Sequence, residues 1–482
     1  MEKQEFQRLG FISQEHYEAT LKTLRSNFTG EYAPGGMTGC MMTRSAAEKV
    51  HRYFEAYQQN VEKWNAETPS GKYPARANLT AGLPPVFDQG HRGTCVAQAV
   101  TGLANYYFGK DPVLSTEYTY GVINKYECAE YAKAYPAFMA DPMKYLQGTV
   151  NSNDERGTAA WYLNFAFPIV VRAGIKDKRK AEPSGELSVT EQDYAAWLSQ
   201  KNPANEDGSF LVVARRVFLQ EGFCTAKVLP YNPLLIKGNG GHLPMPEKAV
   251  QDAAARRITD ELHLFREPDS IDEYKKFLSG NNGKWEPMPV AISVSCFASW
   301  QCCPFTDRTG WFPMPIPEDE PIAYLQLEAM KFKMQNPDAT QEQLERYIFE
   351  KREKLKNTPL DKILDTVQTG GHAMLAVGYV DEPMVAGGGY LLVRNSWAEA
   401  WAWGAEYPGC AKIPYAYIEN FCDEALSIIK PRQPEKAKAP VVTVKTDTAA
   451  KKQPAGIPSP EVAFLQLTDD PGTRQEALHL TH

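Results

Sequence analysis

The 482-residue chain has few cysteines, no long apolar run and no surplus of positive charge, and each shortage removes a class of protein. Nine cysteines, an odd number at irregular spacing, do not read as the disulfide framework of a secreted domain, and a reducing compartment is expected. The longest apolar stretches, such as Phe165 to Val171, fall far short of the roughly 18 residues needed to cross a bilayer, and the polar start MEKQEFQRLG lacks the apolar core of a signal peptide. A soluble protein without a membrane span is expected, either cytoplasmic or exported without a cleavable signal peptide. With 52 Lys+Arg against 59 Asp+Glu the net charge is −7, which argues against nucleic acid as a partner. No internal repeat is evident, so a solenoid or propeller is not indicated.

What is there is an ordinary globular composition, with 43% apolar, 11% aromatic and 23% charged residues. Residues 1–80 hold two expected helices, Glu15 to Arg25 and Ala46 to Glu67, followed by the linker-like TPSGKYPARANLTAGLPP. From 81 to 430, short apolar strands (AMLAVGYV, GYLLVRNSW) mix with helical segments without regular βαβ alternation, which predicts an α+β body. Within it, Thr340 and Gln343 form a capping box ahead of a helix in which Leu344, Ile348 and Leu355 share one face. Nine of the 16 residues from Gln341 to Lys356 are charged, as expected for a solvated amphipathic helix. Residues 431–482 carry seven prolines and one aromatic, Phe464, a composition that predicts a disordered tail.

The chemistry concentrates around LPPVFDQGHRGTCVAQAVTGLANYYFG. Val96, Val100 and Leu103 recur at helical spacing, so Cys95 is placed in the first turn of a helix, where unpaired N–H groups and the positive end of the dipole favour a thiolate. Alone, such a cysteine is more often structural than reactive. A thiolate nucleophile needs a histidine to take and return its proton, and that histidine needs a group to hold its ring. Of eight histidines, His91 and His372 stand in suitable contexts; His372 follows two glycines at the start of AMLAVGYV, the edge of an expected half-buried strand. Downstream, Asn395 ends a strand beside Trp397, offering an amide to orient an imidazole and an indole to cover that bond.

In combination, the order Gln89, Cys95, His372 and Asn395-Ser-Trp resembles the papain-like cysteine proteases, with matching pieces spread from Val86 to about Lys430. The resemblance implies a two-lobed fold, a helical lobe carrying Cys95 and a β-rich lobe carrying His372 and Asn395. It implies hydrolysis of protein or peptide substrates through an acyl-enzyme, with Cys95 as nucleophile, His372 as general acid and base, Asn395 as its orienter, Gln89 as an oxyanion donor and Trp397 as cover. By the same resemblance, Gly208 and Ser209 would bind the substrate backbone, with Gly370 and Ala373 flanking the pocket for the second residue upstream of the cut. No metal or cofactor is implied. Cys296, Cys302 and Cys303 have poor spacing for zinc. The same acyl-enzyme would serve an acyltransferase or deamidase, and a silent protein-binding homologue is the non-enzymatic alternative.

Departures from the family are informative. The cysteine that in the family precedes the nucleophile by three residues and forms a disulfide is Arg92 here; Val96 replaces an aromatic, and Ala398 replaces the glycine after Asn-Ser-Trp. Cys95 and His372 are 277 residues apart, about twice the family's separation, which predicts insertions at about 129–207 and 302–369. The stretch EKVHRYFEAYQQNVEKWN is faintly similar to an inhibitory pro-segment, at the wrong spacing. With no evident pro-region, a narrow target or a restraining inhibitor or immunity protein is expected, as for a delivered effector or toxin.

Overall fold

The computed structural model describes residues 44–90, 92–147, 157–183, 187–200, 208–232, 245–266, 270–301, 303–317, 319–356 and 368–432. All belong to one unit, 1–432, so His91, the expected helix Glu15 to Arg25 and nearly all of the expected tail lie outside the described residues.

Seven strands form one antiparallel sheet: β1 Arg76–Asn78, β2 Glu261–Arg266, β3 Val290–Phe297, β4 Gln368–Asp381, β5 Gly389–Arg394, β6 Cys410–Pro414 and β7 Cys422–Ile429. Their order is β2-β7-β3-β4-β5-β6, and β1 pairs with the far end of β4, setting Ala77 opposite Tyr379. The stretch expected to be a linker therefore contributes a strand. It comes close because position 378 is glycine: a Cβ there would stand 2.3 Å from the Ala77 carbonyl oxygen.

The strand expected to be half-buried is buried on both faces. Along β4, Met374 and Ala376 join one core, while Ala373, Leu375 and Val377 join the other. Two apolar layers flanking one sheet leave little room for polar alternation, which explains the nearly continuous apolar run. One layer is the helix α3 Cys95–Phe108, numbered after α1 Arg44–Glu55 and α2 Tyr57–Ala66. Every residue of α3 from Cys95 to Asn105 is buried, so it is a central helix rather than an amphipathic one. Gly102 lets it approach β4, since an added Cβ would meet Leu375 at 2.9 Å.

The two regions expected to be insertions hold further helices, although Phe312 and Met314 of the second lie in the sheet's core. Helix α4, Thr116–Ala140, begins with an N-cap at Ser115, whose Oγ accepts from the Tyr118 N–H at 3.0 Å. Its first half packs on α3 and its second half joins a separate apolar cluster of Phe138, Tyr162, Phe167, Val171 and Leu198. In the second region, α5 Glu320–Gln335 and α6 Gln341–Lys356 pair through a Phe332–Tyr347 ring stack and the Lys351–Glu328 ion pair at 2.7 Å. The capping box is present as read: Thr340 N–H donates to Gln343 Oε1 at 2.8 Å and Gln343 N–H to Thr340 Oγ1 at 3.3 Å. Among the described residues no helix is long and apolar enough to cross a membrane.

The expected helix Ala46 to Glu67 is broken at Ala56 into α1 and α2, and its aromatic residues are part of the sheet's core. Tyr53 meets Phe421 at 4.5 Å between ring centroids and donates to the Pro315 carbonyl at 2.8 Å, and Trp64 stacks on Tyr53. The segment is thus packed into the same core as the sheet. Trp64→Ala should therefore lower unfolding free energy by about 3–5 kcal/mol in urea titration, the range for a buried tryptophan. A loss below about 1 kcal/mol would mean that these helices rest on the body without completing its core.

Candidate active site

The loop before α3 is fixed from two sides. Towards the sheet, Ala398 N–H donates to the Phe87 carbonyl at 3.0 Å, Gln89 N–H donates to the Ser396 carbonyl at 2.9 Å, and Asp88 and Trp397 form an antiparallel bridge between them. Towards the helical layer, Tyr231 donates from its hydroxyl to the Gln89 carbonyl at 2.9 Å and lies 2.8 Å from the Thr94 hydroxyl. Arg92, where the family has a disulfide cysteine, makes a two-pronged ion pair with Glu117 in the first turn of α4, at 2.6 and 3.1 Å. Both side chains are almost wholly buried. Glu117 also accepts from the Asn232 N–H at 3.1 Å, and the Arg92 guanidinium lies over the Tyr120 and Tyr231 rings. The loop thus delivers Cys95 to the first position of α3, fully buried.

His372 arrives on β4, opposite Val294 of β3, and is fully buried. Its Nε2 is 2.7 Å from Asn395 Oδ1, and that oxygen also accepts from the Ser396 N–H at 2.8 Å. With the amide oxygen committed as acceptor, Nε2 is the protonated nitrogen of the neutral ring and Nδ1 is the one able to accept a proton. Trp397 stacks on the imidazole at 5.1 Å between centroids, Trp300 stacks on Trp397 at 5.6 Å, and Phe312 stacks on Trp300 at 4.5 Å. Burial in this aromatic column lowers the imidazole pKa to about 4, against the opposing effect of the Asn395 hydrogen bond. Cys296, which faces Gly370 two residues along β4 from His372, has its thiol pushed well up, first by burial and then by neighbouring Cys95.

His372 Nδ1, Asn395 Nδ2 and Trp397 Nε1 are buried without hydrogen-bond partners among the described residues. Trp300 Nε1 in the same aromatic stack is in the same state, and since buried polar atoms are rarely left so, their grouping around His372 makes this the candidate site.

The remaining candidates fall differently. Gln89 is fully buried, with Oε1 accepting from Ser396 Oγ at 2.5 Å and Nε2 donating to the Arg92 carbonyl at 2.8 Å; that contact uses one of the two N–H bonds of the amide. Gly208, at φ +115°, Ser209 and Ala373 are buried; Gly370, at φ +129°, is half-buried. Cys95 and His372 are also buried. Ala398, where the family has glycine, is held at φ +59°. Sequence reasoning missed Trp300, Tyr231 and Glu117. The one available signal for Trp300 was an aromatic just past the strand expected before the histidine.

No family model matches the chain, and no curated protein matches its sequence. Solved structures that align with it include xylellain, a cysteine protease from Xylella fastidiosa, at 15% identity and TM-score 0.38, covering 84% of this chain and all of that one. Another is a cysteine protease from Carica candamarcensis, at 13% identity and TM-score 0.32, covering 74% and 100%. A procathepsin B from Trypanosoma congolense aligns at 9% identity and TM-score 0.35, covering 87% and 99%. Likeness of this degree decides nothing by itself, and the chemical case rests on the geometry above.

Three outcomes follow from that geometry. Arg92→Met should cost about 3–5 kcal/mol by leaving Glu117 buried and unpaired, whereas Arg92→Met with Glu117→Leu should recover most of it; urea titration of both variants is the check. Ala398→Gly should stabilise by about 1 kcal/mol, because glycine relieves the left-handed strain while the Phe87 bond is kept; a destabilisation would mean that the methyl group packs. The pH dependence has a definite sign. The unfolded imidazole takes a proton near pH 6.5 and the folded one only near 4, so its contribution is complete above 6.5 and is lost as pH falls between those values. It is of order 3 kcal/mol, and the difference between wild type and His372→Gln in urea midpoint across that window measures it.

Proposed function

We propose that this chain is a papain-like cysteine endopeptidase. The observation that carries the reading is His372: a buried imidazole bonded through Nε2 to Asn395, covered by Trp397, with Nδ1 unpartnered among the described residues on the sheet against which the Cys95 helix packs. Nδ1 takes the proton of Cys95, and the first turn of α3 steadies the resulting thiolate. The sulfur attacks a peptide carbonyl, and the oxygen that becomes negative is met by the Cys95 backbone N–H and a Gln89 amide N–H. The imidazolium then protonates the leaving amine, and a thioester remains. Water, losing a proton to Nδ1, attacks the thioester, and collapse releases the acid and restores the thiol. Because both reacting side chains are buried, substrate entry requires the cleft to open, which favours a narrow range of protein targets.

The test is mass spectrometry of unfolded proteins incubated with wild type and with Cys95→Ala. New peptide termini that depend on Cys95 support the reading, whereas products whose mass shows amide loss or transfer to an amine would reassign the acyl-enzyme to deamidation or transfer. Cys95→Ala, His372→Ala and the double variant should be about equally inactive, since members of one catalytic unit are not additive. Gln89→Ala should cut cleavage by roughly 10²–10³-fold yet leave Cys95 alkylation by iodoacetamide little changed; parallel loss of both would make Gln89 a structural residue.

A further inference from the structure

A groove of about 620 Å³ opens beside the Asn395 turn, lined by the stretch before Phe87, the start of the segment after α3, and the β5–β6 connection. Its size falls within the range of small-ligand sites. It shares none of its lining with Cys95, His372 or Trp397.

At its floor lies Arg394, the residue before Asn395, only 8% exposed. A guanidinium this buried is ordinarily paired with a carboxylate. Among the described residues Arg394 makes no such ion pair; it donates one hydrogen bond to the Pro85 carbonyl and lies over the Phe87 ring at 5.6 Å. Arg394 lines both this groove and a smaller cavity beside Phe87 and Asn395, none of its nitrogens is sealed without a partner, and the charge of nearby Glu399 favours its ionised form. Burial lowers its pKa to about 10, which leaves it charged at neutral pH.

The rim has the opposite character. Asp111, Glu399 and Glu406 are exposed there, against one cation, Lys110, which donates to the Ala81 carbonyl at 3.3 Å. The rest of the lining includes the apolar Leu83, Pro84 and Tyr407. One buried positive charge, an apolar lining and three exposed carboxylates suit a ligand that carries both a carboxylate and an ammonium.

We propose that this groove binds short peptides, with the free C-terminal carboxylate on Arg394 and an amino terminus or basic side chain held by the rim carboxylates. A carboxylate on arginine forms two parallel hydrogen bonds, a geometry that a terminal amide does not reproduce. The proposal is independent of the proposed activity, since it concerns binding alone.

The experiment uses the full chain carrying Cys95→Ala, so that no probe is consumed, and calorimetric titration with the tripeptide Lys-Pro-Leu as free acid, as C-terminal amide and as N-acetylated acid with acetylated lysine. The free acid should bind, and the amide should bind at least about tenfold more weakly. Arg394→Gln should reduce acid binding to the level of the amide. The exposed pair Glu399→Gln with Glu406→Gln should weaken the free acid several-fold and leave the acetylated probe unchanged, which keeps the test decisive if Arg394→Gln fails to fold. Equal binding of acid and amide, no binding of the acid at millimolar concentration, or rim variants without effect would each overturn the proposal.

Discussion

Phe87 and Gln89 exchange backbone hydrogen bonds with Ala398 and Ser396, and between them Asp88 bridges Trp397. Two short segments, one leading into the cysteine helix and one following the asparagine, are thereby made into a single piece of backbone structure. Every other relationship in the site is referred to it. The helix begins six residues after Gln89, and the imidazole is held by the residue before Ser396. Cys95 and His372, 277 residues apart in the chain, are held in register by local hydrogen bonds, which tolerate little drift, rather than by side-chain packing, which tolerates more.

Holding an imidazole in so apolar a place has a cost in proton affinity. Trp397, Trp300 and Phe312 exclude water from one side of His372, and the ring consequently resists protonation until about pH 4. The Asn395 oxygen works against this by favouring the charged ring, though less strongly than burial. A thiolate at Nδ1 would supply the missing counter-charge, so the imidazolium is favoured only when its partner is ionised. The inaccessibility of the ring and its low proton affinity are thus two consequences of the same burial.

Much of this was legible in the sequence, and the exceptions share a cause. The capping box at Thr340 and Gln343 was legible because all of its atoms lie within one turn of helix. The Cys95 helix start was legible for the same reason. AMLAVGYV declared a strand, but its burial on both faces depended on which layers would cover it, and no local pattern reports that. β1 escaped notice because three residues are too few to establish a period; it is defined by Gly378 in a strand 300 residues away. Trp300 belongs to the site only because β3 pairs with β4, and the direction of the Gln89 amide depends on Arg92 and Ser396 folding back upon it.

Arg92 is the clearest case of an absence that could be read while its replacement could not. Arginine in place of cysteine rules out the disulfide that the resemblance would otherwise imply, and the sequence alone does not say what takes its place. The folded chain instead places Glu117 in the first turn of α4, where the helix dipole already favours a carboxylate, and the guanidinium meets it with two hydrogen bonds between two tyrosine rings. A disulfide restrains mainly the unfolded chain, whereas a buried ion pair acts in the folded state through geometry and is severely penalised when one member is lost. The loop that presents Cys95 is consequently fixed by a contact that no reductant breaks. Its integrity depends on both charges remaining buried together, which ties the placement of Cys95 to the packing of the helical layer behind it.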